Sequence, residues 1–438
     1  MNPADADLSV SVFFYSRLGT HMANNRILLF SEGISFCHVV RPLVIGKWIK
    51  SLCDIDLVVA TPANRVPFFA EEGFQTEVIQ IADPREIYKR LSVGGPVYTV
   101  GDLEKYYRDD SILLDRIEPQ VVIADFRFPL LQLSQHRSIP TIGITSASCH
   151  PSFDNSGSVP NCFLKPRLFP PALIDYADGT FLGRTVRRQI LTQISRPYKE
   201  ASRRHKLPVL ESFFEYASQG DLCLLSDHPE VMSIKRLRQS DQYTGPLIWH
   251  RETPLPDGLS DTLIEASRVV YITVGTQDSM ETGFVGPLAR SLTSRGITTV
   301  ISRGGRSFEI SLKHEKLFVF NFLNESKLLP LVDLWIYHGS ALSTYNGLAF
   351  GVPMISIPQQ ADQHFHSLAL ERLQVGEIVR PRELDVTRLV KLAMAFLEDN
   401  QIHDRSRLIS DRLAGTELQQ QAKNRIRSFL EEAGVSVR

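Results

Sequence analysis

Two regions of the chain carry residue types able to do chemistry, at spacings that bring them together. The first is His338-Gly339-Ser340-Ala341-Leu342-Ser343-Thr344, set between the apolar run Leu334–Tyr337 and a helical stretch through Phe350. Small and hydroxyl-bearing residues between a buried strand and a helix start suit an anion, because free backbone N–H groups, the helix dipole and hydroxyl donors converge there. Gly351-Val352-Pro353 follows, then a strand to Ile357, Pro358, and Asp362-Gln363 opening another helix. Gly275-Thr276 places a further hydroxyl at the end of the run Val269–Val274. The second region lies in the amino-terminal half, where His38 is on the loop after Ser31-Glu32-Gly33 and Asp125 follows Val121–Ala124. Imidazole and carboxylate are the side-chain types that most often move protons. Taken singly, each has a plainer explanation. Ser343 could simply cap a helix, Asp362-Gln363 could be a solvated helix start, and His38 could be satisfied by backbone carbonyls.

The elements that must position these residues alternate along the chain. Ile27–Phe30, Asp56–Ala60, Glu77–Ile81, Val121–Ala124, Thr141–Ile144 and Leu222–Leu225 read as strands. Pro42–Leu52 reads as a helix, with Ile45, Trp48, Ile49 and Leu52 at i, i+3, i+4, i+7 spacing and Pro42 suited to a first helical position. Arg251–Ser260, with its prolines, glycine and charges, reads as a linker. A second series then follows: Val269–Val274, Thr298–Ile301, Leu317–Phe320, Leu334–Tyr337 and Pro353–Ile357, closed by a helix from about Thr416 to Glu432. Strand–helix alternation implies an α/β protein with two tandem Rossmann-like, doubly wound domains facing across a cleft. The expected divisions are an extension over residues 1–21, a first domain over 22–249, a linker over 250–262, a second domain over 263–415, and a helix and tail over 416–438. In such sheets ligands gather beyond the carboxyl ends of the strands, where both candidate regions fall.

Composition narrows the function classes. The 438 residues hold 48 Lys+Arg against 49 Asp+Glu, so charge gives no case for a nucleic-acid partner. Five cysteines, without a C-x-x-C pair, argue against a disulfide framework or structural zinc and for a reducing, cytoplasmic setting. No apolar run approaches the roughly 18–20 residues that span a bilayer. Residues 1–21 lack a basic start and a cleavage site, so they read as an extension rather than a signal peptide, with an added edge strand as the competing reading. A G-x-G-x-x-G is missing after the first strand, which counts against an NAD(P) dehydrogenase.

The combination is specific. His338-Gly-Ser-x-x-Ser-Thr344, then Gly347-Leu-Ala-Phe-Gly-Val-Pro353, then Pro358-x-x-x-Asp-Gln363 resembles the donor-binding signature of family 1 glycosyltransferases, in particular the bacterial macrolide-type and natural-product group. The resemblance covers roughly residues 26–430 and implies the two-domain GT-B fold. By that likeness His338, Ser343 and Thr276 contact a nucleotide diphosphate, and Gly339, Ser340 and Thr344 belong to the same nucleotide-sugar-binding set. Phe322 lies near the base, Asn346 near the ribose, and Asp362 with Gln363 holds sugar hydroxyls. Departures are Ser340 where a second glycine is common, Leu342 where a smaller residue stands, Asn346 where glutamate is frequent, and Phe322 where tryptophan is usual. His38-Val-Val-Arg41-Pro42-Leu43 resembles the loop carrying the family's catalytic histidine, and Asp125 resembles the aspartate that orients it.

The resemblance implies an inverting, metal-independent transfer of a hexose from a UDP- or dTDP-sugar to a hydroxyl of a small, natural-product-like acceptor. His38 is then the base, at a pKa suited to neutral pH, and no cofactor is expected beyond the nucleotide-sugar substrate. The expected state is a monomer or homodimer. Two alternatives stand beside it: a catalytically silent glycosyltransferase-like auxiliary protein, and a sugar-nucleotide epimerase of the same fold. Asp54-Ile-Asp56 precedes its strand and reads as solvated, His364-x-His366 lacks the companions of a metal site, and Arg303-Gly-Gly-Arg306 reads as a turn. The basic run Arg184–Lys206 reads as a solvated helix face, with contact to an anionic membrane surface as the lesser reading.

Overall fold

The computed structural model describes residues 26–91, 95–153, 181–276 and 281–438, with backbone alone for residues 181–188, 190 and 382. The expected extension over residues 1–21, Cys162 and most of the stretch 146–182 lie outside the described residues. Arg184, Arg187 and Arg188 of the basic run are described in backbone only, within the helix Phe181–Arg204.

Two parallel sheets organise the chain. The first contains β1 (Arg26–Ser31), β2 (Asp56–Pro62), β3 (Gln75–Ile79), β4 (Val121–Asp125), β5 (Thr141–Thr145), β6 (Leu222–Leu225) and β7 (Asp241–Tyr243), in the order β3-β2-β1-β4-β5-β6-β7. The second contains β8 (Val269–Thr273), β9 (Thr298–Ser302), β10 (Leu317–Phe320), β11 (Leu334–Tyr337), β12 (Met354–Ser356) and β13 (Gly376–Ile378), in the order β10-β9-β8-β11-β12-β13. These are the two Rossmann-like units expected from strand–helix alternation. The third strand begins two residues earlier than its apolar run implied, and β7 and β13 were not foreseen, each being only three residues long.

Helices on both faces explain why the strands read as continuous apolar runs. In β1, Ile27, Leu28, Leu29 and Phe30 are all fully buried. Successive side chains point to opposite faces, so Ile27 and Leu29 join Val39, Leu43 and Ile45 of helix α1 (Cys37–Leu52). Leu28 and Phe30 instead meet Leu113 and Leu114 of α2 (Val100–Ile117). Another apolar cluster runs from Leu225 and Tyr243 of the first sheet to Tyr271, Trp335 and Tyr337 of the second, so the two lobes share buried surface.

The carboxyl-terminal segment crosses back. Helix α3 (Ala341–Ala349) and helix α4 (Ala361–Leu373) belong to the second lobe. The last helix, α5 (Glu417–Glu432), places Ala422, Ile426, Phe429 and Leu430 in the first lobe's core beside Trp48, Ile49 and Leu52. Val437 then bridges to Cys53, and the Arg438 N–H donates to the Leu52 carbonyl at 2.6 Å.

Each sheet reverses its strand order once, between β1 and β4 in the first and between β8 and β11 in the second. Ligands of open α/β sheets collect at such reversals, beyond the carboxyl ends of the strands. His38 and Asp125 stand at the first reversal, and Thr276 and His338 at the second. Asp54 and Asp56 lie at the opposite end of β2, where Asp56 pairs with Arg26 at 2.9 Å.

Candidate functional site

On the first lobe the site begins with a helix that starts earlier than its proline implied. Helix α1 opens at Cys37, so His38 is its second residue rather than a loop residue and Pro42 lies inside it rather than at its first position. An interior proline has no N–H for the carbonyl four residues back. That carbonyl belongs to His38, and the Ser31 hydroxyl donates to it at 2.7 Å. The same serine lies in register with Asp125 on the neighbouring strand. Helix α1 thus tolerates Pro42 while its first turn, bearing His38, is tied to the end of β1. Ser31→Ala is expected to lower stability by about 1–3 kcal/mol through the orphaned carbonyl, measured by urea unfolding.

His38 Nδ1 lies 3.0 Å from Asp125 Oδ1, with the aspartate fully buried and the histidine side chain 12% exposed. Arg41, one turn along the helix, was not singled out from the sequence. Its Nε donates to Asp125 Oδ2 at 2.9 Å and its Nη2 to Asp125 Oδ1 at 2.9 Å. Nη2 is also 2.7 Å from His38 Nδ1, so that nitrogen either donates to Asp125 or accepts from Arg41. Burial works against the Arg41 charge, but the Asp125 carboxylate, and behind it Asp227, raises its proton affinity above the ordinary value. Phe126 covers one side of His38, with ring centroids 4.9 Å apart.

Behind this pair lies a buried polar layer that sequence reasoning also missed. Glu32 accepts the hydroxyls of Tyr98 and Tyr106 at 3.0 Å each and pairs with Arg127 at 3.2 Å, and Arg127 forks onto Asp110. Burial lifts the Glu32 carboxyl to about 7, against the lowering effect of Arg127 and the two tyrosines. A carboxyl that holds its proton longer when folded favours the folded state below its ordinary value of 4.5, and this contribution is lost as pH rises to about 7. Glu32→Gln is therefore expected to flatten the decline of Tm over that window relative to the unaltered protein.

On the second lobe, Ser340 rather than Ser343 caps α3: the Ser343 N–H donates to Ser340 Oγ at 3.4 Å, and the two hydroxyls lie 2.9 Å apart. Ser340 fits because its extended backbone leaves its side chain facing the first free N–H groups. Thr344 is fully buried, its hydroxyl engaged by Tyr337 at 2.7 Å and by the Ser340 carbonyl at 2.9 Å, which turns it inward. Gly339 has φ +81°, and a side chain there would press within 2.7 Å of the Ser356 and Ser367 hydroxyls. Gly275 has φ +72°, and a Cβ on it would meet the His338 ring at 2.8 Å, so glycine leaves that imidazole room against the backbone.

His338 is held neutral: burial first, then the Arg306 charge, lowers its pKa to about 4. Its Nδ1 is buried and without a hydrogen-bond partner among the described residues. Thr276 and Asp362 are exposed. Gln363 is 4% exposed, and its Oε1 accepts the Gln359 N–H at 2.7 Å, so it closes the loop before α4. Phe322 is 65% exposed, and its ring edge would contact a side chain at Gly305 of the Arg303-Gly-Gly-Arg306 turn. Asn346 donates to Glu325 Oε2 at 2.7 Å, while its own Oδ1 is buried without a partner among the described residues.

The two edges face one another. The charge of Asp362 reaches Cys37 and Cys149 on the first lobe and helps keep both thiols protonated, after burial, which pushes Cys149 up to about 12. Deeper down, Asp227 beyond β6 ties the lobes together. Its Oδ2 accepts from Ala147 N–H at 2.7 Å and Ser146 Oγ at 2.9 Å. Its Oδ1 accepts the Tyr345 hydroxyl at 2.8 Å and lies 3.3 Å from His366 Nε2. Burial works against the His366 charge, but Asp227 outweighs it and raises the pKa. His366 of the His364-x-His366 pair thus has a structural partner in Asp227. Both Tyr345 and His366 sit on the helices whose starts form the second-lobe site.

This is the GT-B architecture, and throughout both lobes the chain resembles family 1 glycosyltransferases. No family model matches it. It is 24% identical over 407 residues to a Mycobacterium tuberculosis protein named PGL/p-HBAD biosynthesis rhamnosyltransferase, covering 92% of this chain and 88% of that one. A second M. tuberculosis relative, a PGL/p-HBAD biosynthesis glycosyltransferase, is 24% identical over 388 residues, 88% of each chain. Among solved structures, the glycotransferase of kitacinnamycin superposes with a TM-score of 0.65 at 15% identity, covering 92% of this chain and 98% of that one. VinC, solved in complex with dTDP, superposes with a TM-score of 0.61 at 14% identity, covering 93% and 99%. Among the described residues no helix is long and apolar enough to cross a membrane.

Proposed function

We propose that the protein transfers a hexose from a UDP- or dTDP-sugar to a hydroxyl of a small, natural-product-like acceptor, with inversion and without a metal. His38 takes the acceptor proton through Nε2, the nitrogen not facing Asp125. As that oxygen bonds to the anomeric carbon, the bond from carbon to the diphosphate oxygen breaks and its electron pair leaves with the nucleotide. Asp125 holds the ring and offsets the charge it gains. The leaving diphosphate is stabilised by the start of α3, the Ser343 hydroxyl and the His338 imidazole, whose Nδ1, without a partner among the described residues, is suited to a phosphate oxygen. Thr276 lies at the same edge, Phe322 is an exposed surface for the base, Asn346 with Glu325 offers polar groups to the ribose, and Asp362 does so to the sugar. Gly339, Ser340, Thr344 and Gln363 shape the turns that hold these groups. A cytoplasmic setting completes this reading.

The observation that supports it most is the His38–Asp125 pair at one strand-order reversal and the His338 turn at the other, in lobes joined through Asp227. The M. tuberculosis relative named a rhamnosyltransferase and the dTDP-bound VinC bring deoxyhexoses and dTDP donors within this proposal. A thermal-shift series with UDP, dTDP and their sugar conjugates tests the donor. A ligand at about one hundred times its Kd adds about 2.7 kcal/mol to folded stability, so the true donor nucleotide raises Tm by several degrees and unrelated nucleotides do not. Radiolabelled sugar transfer to a phenol and alcohol panel tests turnover. Binding without transfer or hydrolysis points to the silent auxiliary reading, and product formed without any acceptor points to an epimerase.

A further inference from the structure

The reaction above leaves Arg41, a buried group of the first lobe beside Asp125, unused. The Arg41 side chain is 9% exposed and forks onto both oxygens of Asp125, which is not exposed at all. Its Nη1 also donates to the Ser226 hydroxyl at 3.3 Å, which anchors it to the end of β6. A carboxylate removed from water needs a positive charge beside it. The Asp125 carboxylate touches two groups that can carry one, Arg41 and His38. If Arg41 did not supply it, Asp125 would draw a proton onto His38, and an imidazolium accepts no further proton.

We propose that Arg41 is a positioning residue that supplies the counter-charge of Asp125, so that His38 stays neutral and able to accept a proton. The inference rests on the reading of His38 as the base. The other titratable groups around this cluster do not replace Arg41. Cys37 on the same helix and Cys149 beyond β5 are thiols held protonated by burial. Asp227 beyond β6 is already matched to Tyr345 and His366, and Asp362 of the second lobe is exposed and of the wrong sign.

The test compares the pH dependence of kcat/KM in Arg41→Met and Arg41→Lys with that of the unaltered enzyme. Nuclear magnetic resonance titration of the His38 ring in histidine-labelled protein runs in parallel, its signal identified by loss in His38→Gln. In Arg41→Met the rising limb and the ring midpoint are both expected to move alkaline by about one to three pH units, with activity at neutral pH down about 10- to 1000-fold and recovered at high pH. Arg41→Lys, which keeps the charge without the fork, is expected to shift less than Arg41→Met. Adding Asp125→Asn to Arg41→Met is expected to return the ring midpoint toward its original value. A loss of activity equal at all pH values, with the ring midpoint unmoved in both single variants, overturns the proposal. Because the ring titration needs no turnover, it decides the role of Arg41 even if no donor is ever transferred. Should Arg41→Met not fold, the equally uncharged Arg41→Gln takes its place in the titration, and an unmoved midpoint there overturns the proposal.

Discussion

His38→Ala is expected to reduce kcat by roughly 10²–10⁴-fold, the range that a positioned general base contributes. Binding of the donor nucleotide should change little, because the groups proposed to hold it stand on the opposite lobe. A full kinetic series with the thermal-shift response to nucleotide measured in parallel separates the two effects, and a variant retaining full turnover removes the base assignment. The alanine variant is a cleaner probe than any change at Asp125. Loss of that carboxylate leaves the Arg41 guanidinium buried without its partner, and the resulting destabilisation mixes with the catalytic loss.

Arg127→Leu carries the largest expected effect on stability. The guanidinium is 1% exposed, forks onto Asp110 at 3.0 Å, reaches Glu32 at 3.2 Å, and lies 3.2 Å from the centroid of the Tyr106 ring. Leucine fills part of the volume but leaves two buried carboxyls without a cation. A loss of about 3–5 kcal/mol is expected at mildly alkaline pH, measured by urea unfolding. The sign of the pH dependence is distinctive. Burial already raises the pKa of both carboxyls with Arg127 present, and its removal raises them further. The variant therefore recovers part of its deficit in acid, as Glu32 and Asp110 become neutral, and loses most as pH rises. A deficit independent of pH would assign Arg127 a packing role only.

Most of the framework was legible because parallel strands covered on both faces must be apolar at every position, as Ile27–Phe30 and Val121–Ala124 are. The second-lobe turn was legible because glycines and hydroxyls at a strand end have few other uses, although the cap proved to be Ser340. What could not be read has a physical cause in each case. Arg41 falls one helical turn from His38, and on a sequence alone an arginine there looks like a solvated face. Its burial depends on Asp125, 84 residues away. Pro42 reads as a helix start because its missing N–H is no loss there, and the Ser31 hydroxyl from β1, far from it in any local pattern, takes up the carbonyl that the longer helix leaves free. The Asp227 contacts to Tyr345 and His366 span 118 and 139 residues, and no local pattern signals such pairs. The strands β7 and β13 are too short for periodicity to register.

The return of the last helix to the first lobe bears on how this scaffold can be engineered. The simplest chimera of two such proteins would join the first lobe of one to the second lobe of another at a single point in the linker. Here such a swap would exchange Ala422, Ile426, Phe429 and Leu430 along with the second lobe, and the new helix would have to fit the groove around Trp48, Ile49 and Leu52. A productive hybrid therefore needs two junctions, one between the lobes and one ahead of Glu417, so that each hydrophobic core keeps its own stretch of chain.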